Sequence, residues 1–131
     1  HSDLFGALIR RGVYPMEQLA RIPEHLRNTY FQPCDEADAL QVMDEVRARV
    51  SYCRHDLLSL EPIATGLRLV VCKNVLLHLQ EQQRCSVISM FHAALGDGGY
   101  LAMENTQKLP EALSGWFERV ASDAQLYRKV A

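Results

Sequence analysis

The stretch Leu67-Arg68-Leu69-Val70-Val71-Cys72-Lys73-Asn74-Val75-Leu76-Leu77-His78-Leu79 decides how the chain is read. Its first half, Leu67 to Cys72, is a short apolar and β-branched run, the pattern of a strand buried on both faces. The run breaks at the polar pair Lys73-Asn74 before apolar residues resume. Polar groups at the carboxyl end of a buried strand suit a ligand site, because open α/β sheets bind ligands there. A solvated lysine and a turn asparagine at a strand stop suit the same pattern.

At 131 residues the chain is large enough for one core and small for a complete nucleotide-binding enzyme. Its 48% apolar and 23% charged content is that of an ordinary globular protein. A formal net charge of −2 gives no electrostatic case for nucleic acid or an anionic membrane as partner. No apolar run approaches the roughly 20 residues of a membrane span, so membrane insertion is not expected. Cys34, Cys53, Cys72 and Cys85 form no C-x-x-C pair and have no histidine in ligand spacing, which argues against zinc. Free thiols in a reducing cytoplasm are the better reading.

Working outward, Ser2 or Asp3 is placed to cap a helix through about Ile9, with Leu4, Phe5, Leu8 and Ile9 on one face and Gly12 as its stop. Gly12 to Pro15 reads as a turn, since Pro15 disfavours helical geometry at Tyr14. Short helices follow at Met16 to Ala20 and after Pro23, and Pro33 ends the helical region. Between Cys34 and Val50 propensity favours helix, while Leu40, Val42 and Val46 also suit strands. Val50 to Tyr52 reads as a strand. After Asn74 a helical turn begins at Val75, and Glu81 to Leu95 is the clearest helix, with Val87, Ile88, Phe91, Ala94 and Leu95 at helical spacing. Gly96 to Gly99 reads as a tight turn and Tyr100 to Met103 as a second apolar strand. Trp116 to Val120 and Gln125 to Val130 complete the sheet as an antiparallel pair. Strands alternating with helices give an α/β sheet with a late antiparallel edge.

So arranged, Arg11-Gly12-Val13-Tyr14, Leu26 to Phe31, Val50-Ser51-Tyr52 with Asp56-Leu57-Leu58, Cys72-Lys73-Asn74-Val75-Leu76 and Gly98-Gly99-Tyr100-Leu101 fall in one order with fitting gaps. In that order the chain resembles the carboxyl-terminal two thirds of the catalytic domain of CheR-type chemotaxis receptor methyltransferases. The resemblance implies an α/β, Rossmann-like class I methyltransferase sheet, incomplete at its N-terminal side, with residues 1–131 forming a partial methyltransferase domain. It also implies a small β-subdomain insertion over Cys34 to Val50, which contacts the receptor, and so favours a hairpin over Leu40 to Val46 against propensity.

The implied activity is transfer of a methyl group from S-adenosylmethionine to protein glutamate, leaving S-adenosylhomocysteine. Its partner would be a chemoreceptor or another glutamate-bearing protein in the cytoplasm. Asp3 would bond the cofactor ribose hydroxyls and Asp56 and Leu57 would flank the adenine. Lys73 and Asn74 would line the cofactor and substrate crevice. Two readings stay open for His78, which aligns with a family tyrosine near the sulfonium: a packed or capping residue, or a catalytic group on the methyl path.

Some features depart from the family. Its glycine-containing cofactor loop would lie upstream of His1, so this chain alone is expected not to catalyse methyl transfer. Either it is a fragment, or another chain supplies the missing strand, or it is a non-catalytic interaction module. Lys73 replaces an arginine, exchanging a planar fork for a point charge. Glu104-Asn105-Thr106-Gln107 aligns with the family's G-H-S-E. These differences also allow a different methyl acceptor. Methylating a carboxylate needs little acid–base work, because glutamate is already ionised near neutral pH. No Ser-His-Asp or metal constellation is therefore required.

Overall fold

The computed structural model describes residues 2–131, with His1 and the Ser2 side chain (and so its capping role) outside the described part. The chain divides into two compact units, His1–Arg54 and His55–Ala131.

The first unit opens with helix α1, Ser2–Arg11. Gly12 ends it in the left-handed region and donates its N–H to the Leu8 carbonyl at 2.9 Å. Leu4, Phe5, Leu8 and Ile9 are all exposed. Strand β1 (Val13–Pro15), helices α2 (Met16–Leu19) and α3 (Glu24–Tyr30), strands β2 (Phe31–Pro33) and β3 (Ala39–Val42), and helix α4 (Asp44–Arg47) follow. The strands form an antiparallel sheet in the order β1-β3-β2.

Three expectations are corrected here. Gly12 to Pro15 is no turn: Pro15 ends an edge strand, where its missing N–H costs no ladder bond. The hairpin expected over Leu40 to Val46 is a single strand followed by a helical turn. Its partners come from Val13–Pro15 and Phe31–Pro33, on either side of it. Val50 to Tyr52 is irregular and not a strand.

The second unit is built on β4 (Leu67–Cys72), α5 (Glu81–Ala94) and β5 (Leu95–Met103), followed by β6 (Phe117–Arg119) and β7 (Gln125–Lys129). Its sheet runs β4-β5-β7-β6, with β4 and β5 parallel and the other pairs antiparallel. The carboxyl-terminal pair is thus where periodicity placed it. Helix α5 starts in a reciprocal capping box between Gln80 and Gln83. At its other end the Lys129 ammonium donates to the carbonyls of His92 and Leu95, each at 2.8 Å. Val87, Ile88 and Phe91 of α5 form the core with Leu101, Met103 and Tyr127 of the sheet.

Strand β4 is not buried on both faces. It is an edge strand of this sheet, and Leu69 and Val71 are 54% and 60% exposed while Cys72 is 6% exposed. The turn expected at Gly96 to Gly99 is instead an irregularity within β5: pairing jumps from Leu67 with Leu95 to Leu69 with Tyr100. Gly98 has φ +72, and a Cβ on Gly99 would stand 2.9 Å from the Leu67 carbonyl oxygen. Only glycine fits where the two strands close on each other.

Candidate functional site

Parallel pairing of β4 with β5 sets Cys72 opposite Met103, so the chain leaves both strands side by side. From β4 it passes through Lys73 and Asn74, and from β5 through Glu104. Asn74 turns the chain with φ +59, a region that asparagine tolerates better than most residues. Its backbone N–H donates to the Glu104 carboxylate across that gap. Glu104 is only 9% exposed. Burial, and then the negative charge of Glu104, push the Cys72 thiol above its ordinary value. Cys72 is therefore a packing residue and not a nucleophile. After the turn, Leu76 is buried and anchors the 3-10 segment Leu76–His78.

A cavity of about 300 Å³ runs along β4 from Leu67 to Lys73, walled also by His55, Leu57, Ile63, Phe91 and Ala94 among others. Its wall is mostly apolar, with Lys73 and His55 as polar groups. Of the expected site residues, Leu57 and Lys73 meet in this wall. Asp56 stands next to it and caps the 3-10 segment Leu57–Ser59, its Oδ1 accepting the Leu58 N–H at 3.0 Å. Asn74 is held by backbone to Glu104, and its side chain and that of His78 are exposed outside the wall. His55 Nε2 lies 2.6 Å from the Glu61 carbonyl oxygen, which ties it to its own loop. Asp3 stands exposed in the first turn of α1, in the first unit.

Glu104 is the residue that sequence reasoning passed over as a site component. The available signal was an acidic side chain ending an apolar strand, at a register position beside Lys73-Asn74. Among the described residues no group of three or more His, Cys, Asp or Glu side chains is arranged to hold a metal ion. Nor, among the described residues, is any helix long and apolar enough to cross a membrane.

Comparison with known proteins adds to this geometry. Residues 7–126 match the family described as CheR methyltransferase, SAM binding domain. A chemotaxis protein methyltransferase of Listeria monocytogenes is 28% identical over 111 residues, which cover 82% of this chain and 41% of that protein. One from Vibrio parahaemolyticus is 24% identical over 133 residues, covering 98% and 48% respectively. The putative methyltransferase Cher3 of Pseudomonas putida is 23% identical over 127 residues, covering 92% and 46%. The chain spans less than half the length of these curated relatives.

Proposed function

Because the chain belongs to the CheR methyltransferase SAM-binding family, whose methyl donor is S-adenosylmethionine, we propose that it is the part of an O-methyltransferase that holds the adenosyl end of this cofactor and presents it to glutamate carboxylates of a chemoreceptor-like protein in the cytoplasm. The observation that carries this reading is the cavity that runs along β4 and reaches its carboxyl end, where Leu57 and Lys73 share one wall. Ligand sites of open α/β sheets lie at that end.

The residues present fit one moiety of the cofactor. A volume of about 300 Å³ is at the lower end of the roughly 300–1,000 Å³ typical of small-molecule sites. It suits a base and not a whole adenosyl-amino acid. Leu57, Ile63 and Phe91 offer apolar surface to a purine, and Asp56 at its rim offers a carboxylate to an exocyclic amino group. For Asp3 the family resemblance alone suggests a role toward the ribose hydroxyls, as a carboxylate accepts from two at once.

When bound, the cofactor supplies an electrophilic methyl group on a sulfonium, so the protein contributes position and a dry site. Lys73 attracts the ionised acceptor carboxylate toward the crevice, and the Asn74 amide and His78 border its path. No general base is needed, because the acceptor is already ionised at neutral pH. The exposed edge of β4, with Leu69 and Val71 uncovered, favours a larger Rossmann-like sheet in which a further strand pairs there. By the same reading this chain alone binds weakly and does not turn over, and the sheet β1-β3-β2 is the receptor-contacting subdomain.

Calorimetric titration of the chain with S-adenosylhomocysteine tests this. Saturable binding that is lost in Leu57→Asp supports the reading. Absence of heat at millimolar ligand would overturn it in favour of a non-catalytic interaction module.

A further inference from the structure

Glu104 is the one residue at this strand end whose burial is chemically expensive. A carboxylate that is 9% exposed is normally matched by a cation. Among the described residues the ion pairs are Arg11 with Glu36, Arg47 with Asp44 and Arg128 with Glu118, and none involves Glu104. Its side chain is instead bonded to the backbone N–H of Asn74, thirty residues away in sequence. That N–H belongs to a non-glycine residue in the left-handed region, which by itself disfavours the turn. The two costs therefore meet in one charge-assisted hydrogen bond, which is of the stronger kind. The family's G-H-S-E has glycine at this position, where no side chain could make such a bond.

We infer that Glu104 is a positioning residue: its carboxylate locks the Lys73-Asn74 turn across the ends of β4 and β5, and so fixes how Lys73 faces the cavity. The turn-locking stands on the hydrogen bond and burial alone. Its consequence for ligand binding rests on the proposed cofactor site.

The test uses the whole chain, with amide exchange and shifts followed by NMR. In Glu104→Ala the Asn74 amide is expected to lose protection by about tenfold or more, while Val70 and Leu101 amides of the strands keep theirs. In Glu104→Gln, which retains an acceptor and covers the case that the alanine variant fails to fold, the Asn74 amide stays protected. Its proton resonance then moves upfield and the Cys72 thiol titrates lower. Unchanged Asn74 exchange in the alanine variant, or an unmoved Asn74 resonance and Cys72 titration in the glutamine variant, overturns the inference. Affinity for S-adenosylhomocysteine is expected to fall about tenfold in Glu104→Ala and to be largely restored in Glu104→Gln. Equal affinity in wild type and the alanine variant would remove the positioning role. If the wild type binds no cofactor, the cofactor reading fails, and the exchange measurements still decide whether Glu104 holds the turn.

Discussion

His92, on the sheet-facing side of α5, carries a buried Nε2 with no hydrogen-bond partner among the described residues. Its ring lies 5.0 Å from that of Trp116 and 5.3 Å from that of Phe117. Burial and the nearby Lys129 charge lower its pKa, and the Ala131 backbone offsets this in part. The unfolded chain titrates near 6.5, so below about that pH it takes up a proton that the folded chain resists. The stabilisation is therefore present above pH 6.5 and lost as pH falls toward the folded value. Urea midpoints at pH 7.5 and 5.5 should differ, with the acid value lower. His92→Phe should flatten the difference, and a midpoint that rises on acidification would contradict this account. At the same scale, Lys73-Asn74 could be read from the sequence because it interrupts an apolar run. Glu104 could not, because its partner is set by strand register and not by neighbours in the chain.

The β4-α5-β5 segment, by contrast, was legible as a set of elements. Leu67–Cys72 and Glu81–Ala94 carry clear strand and helix patterns, and the terminal strands alternate cleanly. Three details escaped because they depend on pairing. β4 looked doubly buried, yet its place at a sheet edge leaves Leu69 and Val71 uncovered. The glycine run looked like a turn, yet close approach of Leu67 keeps it in the sheet. β3 draws its partners from residues 13–15 and 31–33, which no local window joins. Gly99→Ala should accordingly cost about 1–3 kcal/mol, as overpacking does, read from the shift in denaturant midpoint. A neutral outcome would mean that the strands do not close there. Ile88→Ala, at a side chain 1% exposed in the α5–sheet interface, should cost about 2–5 kcal/mol. A loss below 1 kcal/mol would contradict that packing.

For the molecule as a whole, the order of elements was readable from Leu67 onward and not in residues 13–52, and the chain adopts a mixed α/β fold with two sheets. The division into two sheets was not, because it follows from the pairing of short strands in residues 1–54. That division has a mechanical consequence. The irregular stretch around residues 50–56 should be the first site of limited proteolysis, leaving a carboxyl-terminal piece that retains mixed α/β circular dichroism. Initial cleavage inside β4 or α5 would contradict the division. The family resemblance, carried by short segments in the right order, supplied what geometry within either unit alone does not: the identity of the ligand. The most direct measurement is therefore a titration of the isotope-labelled chain with S-adenosylhomocysteine, followed amide by amide. The largest shifts are expected at Leu57, Lys73 and Asn74, with the amides of β6 and β7 unmoved. Shifts centred on β6 and β7, or none at Leu57 and Lys73 at saturating ligand, would contradict it.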